Sequence, residues 1–138
     1  MTDAEFARIA GGKGANQAVA AARLGAEVRF VECTGDDSLP EEALAGLREA
    51  GAELDVRRAA EPTGVAPILV EASGENEIVV APGAKRQPAA GGRSRGSPVL
   101  CQLEIPLDAV AIAASQAEFS ASTRRLRGQS TSSPTSSS

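Results

Sequence analysis

A glycine-rich turn, Gly11-Gly12-Lys13-Gly14, runs directly into Ala15-Asn16-Gln17-Ala18-Val19-Ala20-Ala21-Ala22-Arg23-Leu24-Gly25, and this junction limits the possible folds more than any other stretch. Alanine has the best intrinsic helix propensity and Gly25 stands where a left-handed C-terminal cap belongs, so residues 16–24 read as a helix. Glycines at a helix start let backbone approach a ligand with no Cβ in the way, and the free N–H groups there point at whatever oxygen-rich group lies ahead. Residues 28–33 follow as a strand: Val28 and Phe30 alternate with Glu27 and Arg29 before Val31, and Gly35-Asp36-Asp37 supplies turn chemistry. Ser38 and Glu41 then have capping-box spacing, Pro40 lies in the tolerated first turn, and Leu39, Ala43, Leu44, Leu47 and Ala50 form one apolar face ending at Gly51. Strand, helix and strand in this rhythm predict βαβ units, hence an α/β chain with helices packed on a parallel sheet.

The pattern changes after that. Residues 63–70 and 77–81 are β-rich runs joined through Ala72-Ser73-Gly74-Glu75-Asn76, which predicts a hairpin. Pro67 cannot donate a ladder hydrogen bond, so its strand should lie at an edge or carry a bulge. Residues 85–97 are basic, rich in Gly, Pro, Ala, Arg and Ser, and read as an irregular loop. Pro98-Val99-Leu100-Cys101-Gln102-Leu103 reads as a buried strand, and Glu104-Ile105-Pro106-Leu107-Asp108 leads into a helix reaching about residue 114. Residues 115–138 turn to Ser, Thr, Arg and Gln, a composition unable to bury enough apolar area to offset ordering entropy, and are expected to be a disordered tail. Charge divides the same way. Residues 1–84 hold 7 Lys/Arg against 15 Asp/Glu, net −8, and residues 85–138 hold 7 against 3, net +4.

Absences narrow the chemistry. The 138 residues contain no His, which removes a Ser–His nucleophile, a His general base and a mixed Cys/His zinc site. Cys33 and Cys101 sit far apart beside apolar runs and read as free buried thiols. The aromatics are confined to Phe6, Phe30 and Phe119, and Arg124, Arg125 and Arg127 have no aromatic partners, so no nucleic-acid binding is expected. No signal sequence and no membrane-length apolar run stand out, so the expected location is the cytoplasm. Asp36-Asp37 reads as turn and cap chemistry rather than a metal site. The GxxxxGK[ST] spacing is absent, since Gly14 follows Lys13, and ATP is not read from the glycine loop.

Taken together, Gly11-Gly12-Lys13-Gly14-Ala15-Asn16-Gln17-Ala18-Val19-Ala20-Ala21 and Cys33-Thr34-Gly35-Asp36-Asp37-Ser38 closely resemble the N-terminal signature of the ribokinase-like, PfkB-type carbohydrate kinases. Thr63-Gly64-Val65-Ala66, Gly74-Glu75-Asn76, Ala81-Pro82-Gly83-Ala84 and Gln102-Leu103-Glu104-Ile105-Pro106-Leu107 support this in the same order. The resemblance implies a ribokinase-like fold, in part, with a Rossmann-like parallel sheet over residues 1–114 and a hairpin, about 63–81, belonging to a small lid. It implies a sugar pocket lined by Gly12, Lys13, Asn16 and Glu104, with Gly11 shaping the turn, and a pentose, ribose, as substrate. Asn16 can donate and accept, Lys13 donates, and a carboxylate accepts from a hydroxyl. Read without the family, Lys13 also fits a solvated side chain and Glu104 a carboxylate favoured at a helix start. The lid of that family commonly mediates dimerisation, so a homodimer through the hairpin belongs to the expectation.

The family uses ATP and Mg and a late Gly-Ala-Gly-Asp segment for phosphoryl transfer. No such segment occurs here, no nucleotide or metal ligand is identifiable, and no catalytic residue is assigned. The chain is therefore expected to be an inactive part of a sugar kinase, with a noncatalytic sugar-binding or kinase-associating module and a nonfunctional frame-disrupted product as alternatives. Pro40 stands where the family has Gly, Pro67 interrupts a lid strand, and Lys85 replaces the Asn that normally follows Gly-Ala. Residues 85–97 and 115–138 match nothing in the family and are expected to arise from shifted reading frames.

Overall fold

The computed structural model describes residues 5–87, 97–118 and 120–123. Helix α1 (Lys13–Arg23) leads into strand β1 (Arg29–Gly35), helix α2 (Leu39–Glu49) and strand β2 (Glu53–Ala59). β1 and β2 are parallel and in register from Arg29↔Glu53 to Gly35↔Ala59, so β1, α2 and β2 form the expected βαβ unit. Its core is aliphatic. Ala18, Leu44, Leu47 and Ala52 are buried, and Ala15, Val19, Val28, Phe30, Leu54 and Val56 pack against them. Gly51, at φ 81°, turns the chain out of α2, and the Ala52 amide donates to the Leu47 carbonyl at 3.0 Å.

Two local expectations need correction. α1 begins at Lys13, with Gly12 as its N-cap, so the lysine sits in the helix rather than in the turn. The Ser38 hydroxyl makes no cap bond, because Ser38 is itself in the right-handed helical region (φ −81°, ψ −12°) instead of the extended conformation that aims a cap side chain back at the helix. Asp37 does that work, accepting from the Leu39 amide at 3.0 Å. Glu41 is drawn away by Arg58 at 2.7 Å and Arg48 at 3.1 Å.

Strands β3 (Ile68–Val70) and β4 (Asn76–Ile78) pair antiparallel around a turn containing Gly74 at φ 89°. Pro67 interrupts the arm: Val65 pairs with Ala81, Pro67 serves only as an acceptor for the Val79 amide, and the ladder resumes at Ile68. A short 3-10 turn, Gly83–Arg86, then packs on β1. Strand β5 (Val99–Gln102), helix α3 (Leu107–Gln116) and strand β6 (Ser120–Thr123) form a second parallel crossover, Val99↔Ser120 to Gln102↔Thr123.

Order thus persists past residue 115, where a disordered tail was expected to begin. The reason is backbone pairing: Ser120 to Thr123 carry no apolar pattern but complete a ladder with β5. The tail from 124 onward, and residues 88–96 of the expected loop, lie outside the described residues. Among the described residues no helix is long and apolar enough to cross a membrane.

Candidate functional site

The site grows from the first turn of α1. Gly12 adopts φ 128°, a conformation open to glycine and strained for any residue with a Cβ. Asn16 is the first residue of the turn to close a helical bond, its amide donating to the Gly12 carbonyl at 2.9 Å. The amides of Lys13, Gly14 and Ala15 precede it, and the first turn carries no acidic side chain, so the positive end of the helix dipole faces outward.

Two strands hold this turn in place. A Cβ on Gly14 would lie 3.5 Å from the Gln102 side chain on β5 and 3.6 Å from the Phe30 ring on β1, ordinary contact distances that wedge α1 between them. The Gln102 amide also donates to the Gln17 side-chain carbonyl. These contacts bring the segment after β5 against α1, where the Lys13 ammonium pairs with the Glu104 carboxylate. The pair is 45% and 51% exposed, so it adds at most about 1 kcal/mol to stability. What it does is set a donor and an acceptor side by side at an open helix start. Of the residues singled out by sequence, Lys13 and Glu104 therefore meet, with Gly12 adjacent to Lys13 as the N-cap of α1. Asn16 lies exposed on the same first turn. A Cβ on Gly11 would meet nothing within 4 Å, so that glycine keeps space open rather than relieving a clash with the chain.

The carboxyl end of β1 is the edge at which parallel sheets ordinarily place ligands. Asp37 anchors it. Its carboxylate accepts from the Thr63 amide (2.7 Å), the Thr63 hydroxyl (2.9 Å) and the Leu39 amide. These bonds, the Thr63 amide foremost and Arg58 in addition, hold the Asp37 carboxyl below the usual carboxylate range. Thr63 accepts in turn from the Gly35 amide at 2.9 Å, so β1 is stitched to the base of the hairpin. The approach is close: a Cβ on Gly35 would stand 2.4 Å from the Thr63 nitrogen. Asp37 Oδ1 thus serves both the start of α2 and the Thr63 hydroxyl, and Oδ2 serves the Thr63 amide. Among the described residues no group of three or more His, Cys, Asp and Glu could hold a metal.

Sequence reasoning gave no role to Glu32, Gln17 or Gln102 and saw Lys85 only as a departure from a family pattern. Glu32 shares strand parity with Phe30 and Thr34, which was the available signal: a charge at a position that alternation turns inward. Burial raises its carboxyl above the usual range, with the Lys85 charge pulling the other way. Thr34 is 3% exposed, and its hydroxyl has no hydrogen-bond partner among the described residues. Cys33 and Cys101 are free and buried, and burial pushes both thiols up, away from reactivity.

Known proteins resemble this chain in sequence and in fold. Residues 1–91 match the family described as pfkB family carbohydrate kinase. The ribokinase of Schizosaccharomyces pombe is 44% identical over 116 residues, which cover 75% of this chain and 36% of the relative. The crystal structure of ribokinase from Thermotoga maritima superposes with a TM-score of 0.70 at 33% identity, covering 79% of this chain and 38% of the other. That of Arabidopsis thaliana ribokinase complexed with ribose and ATP superposes at 0.61 with 34% identity, covering 74% and 36%. The chain thus spans little more than a third of the length of these relatives. With its α/β architecture, its glycine turn and two thirds of its length matching one family, the chain belongs to the pfkB family of carbohydrate kinases.

Proposed function

We propose that the first turn of α1 and Glu104 form one wall of a site for a neutral pentose, ribose, the acceptor in an ATP-dependent phosphoryl transfer. The observation that carries this is the Lys13–Glu104 pair at the bare N-terminus of α1. Lys13 and the first-turn amides donate to hydroxyl oxygens, Glu104 accepts from a hydroxyl, and Asn16 can do both. Gly11 and Gly12 leave room for the ring to approach the backbone. The relative complexed with ribose and ATP supports ribose as the sugar. ATP, with Mg, supplies the phosphoryl group; the wall described here binds and orients the acceptor and takes no part in proton transfer. The chain by itself is read as catalytically silent and cytoplasmic.

Calorimetric titration of ribose into the 138-residue chain tests the wall. Lys13→Ala and Glu104→Gln should each weaken binding at least about tenfold, the worth of one hydrogen bond to a charged group. Unchanged affinity in both variants sinks the assignment. A second role rests on the hairpin, whose Ile68, Leu69, Val70, Val79 and Val80 are exposed: association with a second copy of this chain or with an intact kinase.

A further inference from the structure

The turn after the hairpin delivers Lys85 to the glycine turn. Its Nζ lies 4.0 Å from where a Cβ on Gly12 would stand, so the ammonium occupies the flank of Gly12 that a side chain would otherwise cover. The delivery is well braced. Ala84 is fully buried, and its amide donates to the Pro62 carbonyl at 2.9 Å. Gly83 sits at φ 51°, and a Cβ there would come within 2.2 Å of the Pro62 oxygen. After the turn, the Gln87 amide donates to the Ala84 carbonyl at 2.9 Å and its side chain to Glu61 at 2.7 Å.

Gly12 is thereby flanked by two cations: Lys13, paired with Glu104, and Lys85, whose turn packs on β1, the strand that carries the half-buried Glu32. The four charges sum to zero. A neutral polyol suits such a balance, because it takes hydrogen bonds from ammonium groups and gives them to carboxylates without adding charge. A sugar acid would bring a third carboxylate against two, which costs binding.

We propose that Lys85 is a specificity-determining residue of the sugar site, donating to a sugar hydroxyl beside Gly12, and that Glu32 balances its charge so that a neutral sugar is preferred to a sugar acid. This rests on the proposed sugar wall.

The test titrates the 138-residue chain with ribose and with ribonate, the corresponding acid, while thermal melts confirm folding. Lys85→Met should weaken ribose about tenfold, and Lys85→Arg, which keeps the charge and donors, should restore most of it. Glu32→Gln should shift the ribonate-to-ribose affinity ratio about tenfold toward ribonate, and the Glu32→Gln, Lys85→Met double variant should bring the ratio back. Ribose binding that depends on Lys13 but not on Lys85, with a ratio unmoved by Glu32→Gln, overturns this inference alone. No ribose binding by the unaltered chain overturns the sugar wall and this inference with it.

Discussion

Leu47 in the βαβ unit is 1% exposed, while Val70 in the hairpin is 69% exposed, although both sit in regular structure among aliphatic neighbours. The difference lies in what each region can cover by itself. β1 and β2 have one face closed by α2 and the start of α1, so a short chain buries Leu44 and Leu47 completely. β3 and β4 are three residues each, with no helix packed on them among the described residues, and a two-stranded ribbon cannot shield its own side chains. Apolar content is therefore a poor guide to burial in this molecule; a layer to pack against decides it.

The contrast can be broken by mutation. Leu47→Ala should cost about 2–5 kcal/mol in urea melts, the range for deleting a buried leucine side chain, and should unfold the βαβ unit cooperatively. A mild effect there would deny the unit its core. Asp37→Asn acts at the join between the two regions and should cost less. Because the Asp37 carboxyl is depressed in the fold, the stability it supplies is complete above about pH 4 and is lost as pH falls through the depressed value. The variant should be weaker than the parent at pH 7 and should show a shallower loss on acidification; parallel pH profiles would remove Asp37 from the join. Smallest is Val70→Ser, expected within about 0.5 kcal/mol of the parent. If the hairpin pairs two copies, the same variant should weaken self-association in sedimentation experiments, and an unchanged sedimentation profile would leave the hairpin without that role.

Much of this arrangement was legible in the residues because its signals are local. The Ala-rich run after the glycines, the apolar face of α2 and the turn at Gly74 each depend on neighbours a few positions away, and each formed as expected apart from the earlier start of α1. The capping box failed on another local matter: Ser38 is already helical, and the carboxylate one residue earlier reaches the amide first. β2 and β6 were harder. Glu53–Ala59 reads as mostly charged, its inward residues being Leu54 and Val56, and Ser120–Thr123 has no apolar residue beyond Ala121. Both are strands because a distant partner offers backbone pairing, which no local pattern records. At the site, the motif carried Gly12, Lys13, Asn16 and Glu104 together. The approach of Lys85 to Gly12 depends on how the hairpin returns to β1, and only the fold reveals it.

The Lys13–Glu104 contact joins residues 91 positions apart, and that separation has a kinetic meaning. The βαβ unit closes through short loops, whereas the two halves of the proposed sugar wall meet only after the whole intervening chain has been gathered, with a correspondingly larger loss of loop entropy. The wall should thus be among the last features to assemble and the first to open. In stopped-flow folding, Glu104→Gln would then speed unfolding and leave the folding rate nearly untouched, whereas Leu47→Ala would slow folding; a slowed folding limb for Glu104→Gln would reverse that order. Ligand binding, on this view, selects from a rigid core whose binding face forms and dissolves more readily than the core beneath it.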